Sequence, residues 1–303
     1  MVDTEKASSA KSLYISYLSF AESLFKNLLE RRELDFDSVL KKVMMVSEYI
    51  QKDRHYLMQA KQIVKSGINE NYHVSHVVRA SIIAMIIATY LKLPKHRLIE
   101  VGISALMCDI GVLKLSPEIY LDTYNATEQE RKSIFVHPIH AHKTLKSYNF
   151  PMSICEGVLE HHERENGSGY PRNLTGDHIG LYGKIIGVST SYEAFSLKSV
   201  EEEKCGHAGM MKMLKNEGNQ FDKTIIRALV YSISIYPVGL YVLLSSGERG
   251  QVVEPDPENP RYPFVRIIGN PSTDGDSKVV HTSPDGVSIA RPLTRVEVTA
   301  RSA

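Results

Sequence analysis

Residues 160–176 read EHHERENGSGYPRNLTG. Two adjacent histidines and a glutamate, His161, His162 and Glu163, run directly into a turn-forming segment, Gly167-Ser168-Gly169-Tyr170-Pro171. Imidazoles and carboxylates are groups that a divalent cation takes from a protein. Gly and Pro at this density let a loop approach a bound group closely while holding one shape. The histidines are unevenly spread: nine of the twelve, at 73, 76, 96, 137, 140, 142, 161, 162 and 178, fall between residues 73 and 178. In a helical domain this is the pattern of a metal site assembled from several helices, although surface helices also carry histidines that do nothing.

Spacing sharpens that reading. His76, Asp109, His137, His161 and His162 come from separate apolar helices or their ends. A carboxylate has two oxygens, so Asp109 can bridge two cations while histidines fill the remaining positions. Two cations roughly 3.5–4 Å apart can activate a water and clamp the oxygens of a phosphoryl group. The expected reaction class is metal-assisted hydrolysis of a phosphoester.

The elements that must position these groups are mostly helices. Residues from about 11 to 65 carry helical periodicity, with Leu18, Leu24, Phe25, Leu28 and Leu29 on one stripe. Asp35 or Asp37 can cap a second helix carrying Val39, Val43, Val46, Ile50 and Leu57. After Gly67 a strong helix is expected from about Asn71 to Leu93, with His73 and His76 on one face. A shorter one, Arg97 to Met107, delivers Cys108-Asp109. Thr127 and Glu130 fit a capping box, and that helix should stop near His137, the residue before Pro138. Further helices are expected over 139–148, 151–162, 179–197 and 221–235. Beyond Pro237 come short β-rich runs separated by Gly, Pro, Asn and Asp. The expected fold is mainly α, in three parts: a helical N-terminal module at 1–66, a metal-binding bundle at 67–236, and a small antiparallel β extension at 237–303.

The composition fits that picture. The chain has 303 residues, 43% hydrophobic and 23% charged, which is ordinary for a protein that buries a core. A formal net charge of +1 gives no pull toward nucleic acid, so no DNA partner is expected. Cys108, Cys155 and Cys205 are too few and too scattered for a disulfide framework, which points to a reducing cytoplasm. The N-terminus lacks the apolar core of a signal peptide. No membrane span is expected: the run Ser81–Leu91 is too short, and Pro237 and Gly239 interrupt Ala228–Leu244.

His161-His162-Glu163, a short spacer, Gly167, Gly169-Tyr170-Pro171, Leu174 and Gly176 together resemble the signature of the HD-GYP family, the HD-superfamily metal-dependent cyclic di-GMP phosphodiesterases. The resemblance extends to His137-Pro138, to residues 72–80 around His76, to Gln220-Phe221-Asp222 and to Tyr236-Pro237-Val238-Gly239. It covers about residues 67–270. It implies an HD-type helical bundle and a binuclear or trinuclear centre, commonly of iron or manganese. It also implies cyclic di-GMP or a related nucleotide as substrate. Carried over by position, the implied metal ligands are His76, Asp109, His137, His161 and His162, with Asp109 bridging and catalytic, and Gly169, Tyr170 and Pro171 facing the substrate.

This chain departs from the family in ways that bear on function. The family's His-Asp pair is Cys108-Asp109 here, so Cys108 is either a softer thiolate ligand or a small buried apolar residue. Thr190 stands where an aspartate is expected, and both losses fall on the same metal. Tyr72 replaces the glutamate that supports a third metal, which leaves one or two ions. The family's lysine is Val112, and Lys114 is the nearest replacement. Where arginines would grip phosphates, the chain has Lys198, Ser199 and Glu201 to Glu203, leaving Lys184 as a phosphate contact. The expected function is an atypical HD-GYP phosphodiesterase. The alternative is a catalytically impaired protein that binds metal or nucleotide and signals to a protein partner through its N-terminal helices.

Overall fold

The computed structural model describes residues 4–30, 34–64, 72–115, 127–197, 205–268 and 278–299. The expected boundary at 66/67, and Lys198, Ser199 and Glu201 to Glu203, lie outside these residues. The chain divides into two compact units, residues 1–191 with 216–226 and residues 192–215 with 227–303.

In the first unit, helices α1 (Thr4–Leu29) and α2 (Phe36–Val64) pack on each other, and both pack on α3 (Tyr72–Tyr90). Asp35 supplies the α2 cap, its carboxylate accepting from the backbone N–H of Asp37 and Ser38. Val39, Val43, Val46, Ile50 and Leu57 are all buried, as their spacing requires. Leu29 departs from the expected α1 stripe: it sits at the helix end and is 58% exposed. Tyr17 on α1 hydrogen-bonds Ser81 on α3 (2.7 Å), and Ser81 donates in turn to the Gly102 carbonyl (2.8 Å) on α4 (Lys95–Met107).

α3 is the central helix of this unit, buried from His73 to Ala88. Among the described residues it is the one helix long and apolar enough to cross a membrane, but 83% of that apolar window is buried inside the protein. Its composition is that of a core helix. Ile82, Met85, Ile86 and Ile87 are fully buried, each contributing about 1.5–3 kcal/mol of apolar burial.

After α4 come a 3-10 turn (Ile110–Lys114), α5 (Glu128–Ile134), α6 (His137–Ser147) and α7 (Met152–Glu160). The capping box at the start of α5 is formed reciprocally: the Thr127 N–H donates to the Glu130 carboxylate (2.7 Å) and the Glu130 N–H to the Thr127 hydroxyl (3.3 Å). α5 ends at Ile134, three residues before the expected stop near His137, and Pro138 lies in the first turn of the next helix. This break places His137 at a helix start, pointing inward. α8 (Leu181–Leu197) follows the Gly-rich loop.

The later elements are α9 (Cys205–Lys215), α10 (Lys223–Ile233) and five strands, Tyr241–Leu244, Arg249–Glu254, Phe264–Ile267, Val279–His281 and Ile289–Leu293, before the short α11 (Arg295–Thr299). The strands, β1 to β5, form one antiparallel sheet in the order β4-β3-β2-β1-β5. Alternate residues Val242, Leu244, Val252 and Val265 make its core with Leu240. The fold is thus mainly helical with a small antiparallel sheet toward the C-terminus.

Candidate metal centre

Asp109, His137, His161 and His162 converge, with one ligand atom from each lying within 4.8 Å of the others. Each arrives from a helix end. Asp109 follows α4, His137 opens α6, and His161 and His162 follow α7. The 3-10 turn packs tightly on α6, and a Cβ at Gly111 would stand 1.9 Å from the His137 carbonyl oxygen. Glycine is required there because any side chain would push His137 away from Asp109.

The ring nitrogens are oriented before anything binds. His137 Nδ1 lies 2.7 Å from the Ile134 carbonyl oxygen, and His161 Nδ1 lies 2.6 Å from that of Val158. A carbonyl only accepts, so each neutral ring carries its proton at Nδ1 and turns an Nε2 lone pair inward. The two Nε2 atoms are 3.3 Å apart and lie 3.3 and 3.5 Å from Asp109 Oδ1. Two ligand atoms about 2.1 Å from a shared ion are themselves about 3.0–3.4 Å apart. The donor set therefore fits a divalent cation, and three inward-facing acceptors have no better common partner.

The electrostatics agree with this. Burial alone would raise the Asp109 carboxyl, but the surrounding imidazoles of His137, His161 and His76 outweigh it and hold the group well below the usual carboxylate range. Burial pushes His161 down, and pushes His162 down further with the help of His161 and His137. Both shifts favour the neutral ring, which is the form that can act as a ligand.

Asp109 has a second side. Its Oδ2 faces His76 Nε2 at 3.8 Å. Both oxygens of one carboxylate thus meet imidazoles, as bridging requires. The remaining residues expected on the His76 side do not join it. Cys108 is fully buried, and burial followed by the Asp109 charge pushes its thiol well above its ordinary value. Of the two expectations for Cys108, a thiolate ligand or a small buried apolar residue, its complete burial favours the second. The Thr190 hydroxyl donates to the Ile186 carbonyl (2.9 Å) within its own helix and is buried there. Tyr72 is half-exposed and stacks on the His76 ring (5.9 Å, 13°).

The Gly-Tyr-Pro loop packs on His162. Tyr170 stacks on His162 (4.5 Å, 18°), and its N–H donates to the His162 carbonyl (3.1 Å). A Cβ at Gly169 would lie 2.4 Å from that same carbonyl oxygen, so only glycine allows the chain to double back here. Pro171 follows at the loop tip, partly buried. Glu163, which its sequence context groups with the two histidines as a ligand type, organises this loop instead. Its two oxygens accept from the backbone N–H groups of Arg172 (2.7 Å) and Leu174 (2.8 Å). Glu160 holds the loop's far end, taking Arg172 and the Gly180 N–H (2.7 Å). The Arg164 guanidinium donates to the carbonyls of His161 (3.1 Å) and Glu163 (2.8 Å) and lies over the Phe221 ring.

The substrate-side lysines fare differently from expectation. Lys184 is held between Glu165 (3.0 Å) and Asp222 (3.3 Å), and these carboxylates keep its pKa raised despite burial. Its charge is already compensated, so it is a brace between the loop and Asp222. Val112 is a buried apolar residue of the 3-10 turn. Lys114 is exposed at the end of that turn, close enough to His140 that its charge, after burial, helps push His140 down. Sequence reading missed the bracing roles of Glu160, Glu163 and Arg164. Most of their partners are backbone groups, which no spacing rule reveals.

Residues 54–225 match the profile of the HD domain family, and the chain belongs to that family. Its His-His-Glu and Gly-x-Gly-Tyr-Pro pattern is that of the HD-GYP type. It is similar to the cyclic di-GMP phosphodiesterase PdeB of Borreliella burgdorferi, 29% identical over 202 residues, which are 66% of this chain and 53% of that protein. It is also similar to the cyclic di-GMP phosphodiesterase PA4108 of Pseudomonas aeruginosa, 27% identical over 68% of this chain and 50% of that protein. The chain thus spans about half the length of the curated relatives it matches. Among solved structures, Bd1817, an HDG"Y"P protein from Bdellovibrio bacteriovorus, shares the fold with a TM-score of 0.59, at 15% identity over 76% of this chain and 72% of that one.

Proposed function

We propose that this chain is a metal-dependent phosphodiesterase that hydrolyses cyclic di-GMP or a related cyclic dinucleotide. The observation that carries the reading is the convergence of Asp109 Oδ1 with the inward-turned Nε2 atoms of His137 and His161, beside the Tyr170 loop. His137, His161, His162 and Asp109 would hold one ion, and His76 with Asp109 Oδ2 would hold a second more weakly. Imidazole and carboxylate donors suit iron or manganese. When bound, such a cation supplies positive charge for the phosphoryl oxygens and makes a water acidic enough to attack at neutral pH.

The protein's own groups do the rest. Asp109 would bridge the two positions, with Oδ1 toward His137 and His161 and Oδ2 toward His76. Gly169, Tyr170 and Pro171 wall the site beside His162, and Lys114 is the exposed cation we assign to a phosphate oxygen. We assign the protein to the cytoplasm from its free, buried Cys108 and Cys155.

Incubating iron- or manganese-loaded protein with cyclic di-GMP, and following linear dinucleotide by chromatography, tests the reading. Turnover that a chelator abolishes is the expected result. No turnover with any divalent ion overturns it.

A second reading, a binding protein without turnover, is favoured by the His76 side, where Cys108 and Thr190 stand in place of the histidine and aspartate that the HD-GYP resemblance leads one to expect. A protein partner would then meet the N-terminal helices, where Leu29 and Met45 are 58% and 53% exposed. Calorimetry showing cyclic dinucleotide binding without product formation would select it.

A further inference from the structure

The metal-facing His162 begins a stack of rings that runs outward to solvent. Tyr170 lies on His162 at 4.5 Å and 18°, and Phe135 lies on Tyr170 at 4.6 Å and 30°. Phe135 sits between the end of α5 and His137, and it remains 48% exposed. With Tyr170 against one face of the ring, the exposed remainder is a flat apolar surface. It stands two ring spacings from a metal-facing imidazole. A dinucleotide spans such a gap, because a base lies farther from the neighbouring phosphodiester than from its own. An aromatic face is also what nucleobases choose when they stack on protein, and purines, with the larger π surface, stack best.

We infer that Phe135 is the platform on which one purine base of the substrate stacks while its phosphodiester reaches the metal centre. The inference rests on the proposed action on a cyclic dinucleotide and adds to it a residue that selects purine bases. A purely structural Phe135, serving only to cover Tyr170, makes a different prediction, because leucine would cover that ring equally well.

The test compares Phe135→Ala, Phe135→Leu and Phe135→Tyr with the wild type. The readouts are steady-state hydrolysis and equilibrium dialysis, with cyclic di-GMP as purine probe and cyclic di-UMP as pyrimidine probe. The Ala and Leu variants are expected to raise both KM and Kd for cyclic di-GMP about tenfold, with kcat changed by less than about twofold. The Tyr variant is expected to restore wild-type values, and the wild-type preference for the purine probe should shrink in the Ala variant. Unchanged Kd in the Ala variant overturns the inference. So does a Leu variant that binds like wild type, or equal losses for both probes. The Kd series decides the matter even if the wild type binds without turnover, an outcome that would overturn hydrolysis but leave the platform standing. A wild type that neither binds nor hydrolyses overturns both.

Discussion

The two oxygens of Asp109 face two unequal sets of imidazoles. Oδ1 meets His137 and His161, whose Nδ1 atoms are pinned by the carbonyls of Ile134 and Val158. His162 completes that group. Oδ2 meets His76 at 3.8 Å, while Cys108 is fully buried and the Thr190 hydroxyl donates within its own helix. The first half is held by helix ends and by a braced loop. The second consists of one buried histidine on the central helix and residues that pack like core. A metal site keeps its geometry where the backbone fixes the ligands and weakens where ligand positions revert to packing.

That contrast makes the largest prediction. His137→Ala should strip the protein of metal, lowering affinity by more than the roughly 10–100-fold typical of losing an outer-shell partner. His76→Ala should leave the first ion in place and remove only the weaker one. Metal analysis after dialysis, with turnover measured in parallel, reads both. Equal metal loss in the two variants would mean that the halves are not distinct.

The same comparison can be sharpened by repair. Thr190→Asp together with Cys108→His restores the two ligand types that the His76 side lacks. The metal content of the double variant should rise from about one tightly held ion toward two, as counted by titration. In the metal-free form the variant should be less stable by about 1–3 kcal/mol, because a carboxylate is placed in a buried position without a partner. Chemical denaturation with and without metal measures this. A double variant destabilised equally in both conditions would show that no second ion enters.

Much of this was legible beforehand, for identifiable reasons. Metal ligands are few in type and the helices that carry them are strongly apolar, so His76, Asp109, His137, His161 and His162 stand out in the sequence, as does the break at Pro138. The β extension was legible from its alternation and turn residues. What could not be read was direction. Whether Cys108 is a ligand depends on how deeply it is buried and on which way its thiol points, and neither is visible in a sequence. Lys184 carries a free-looking charge until the fold brings Glu165 and Asp222 to it. Glu163 sits beside two ligands and looks like a third, but the loop turns its backbone N–H groups back onto that carboxylate.

Glu163 gives the smallest and most local prediction. Glutamine at this position keeps one acceptor oxygen but points an NH2 group at a backbone N–H, so one of the two loop bonds becomes a donor facing a donor. Hydrogen bonds to charged groups contribute about 1.5–3 kcal/mol each, and Glu163 is buried, so solvent cannot substitute. Glu163→Gln should therefore lower stability by about 2 kcal/mol in denaturant unfolding. It should leave metal content unchanged, since the Nδ1 anchors of His137 and His161 are independent of the loop. Turnover of cyclic di-GMP should fall even so, because Tyr170 loses its fixed position over His162. Loss of metal in this variant would instead make Glu163 part of the well-built half, as a ligand and not as the brace of the loop beside it.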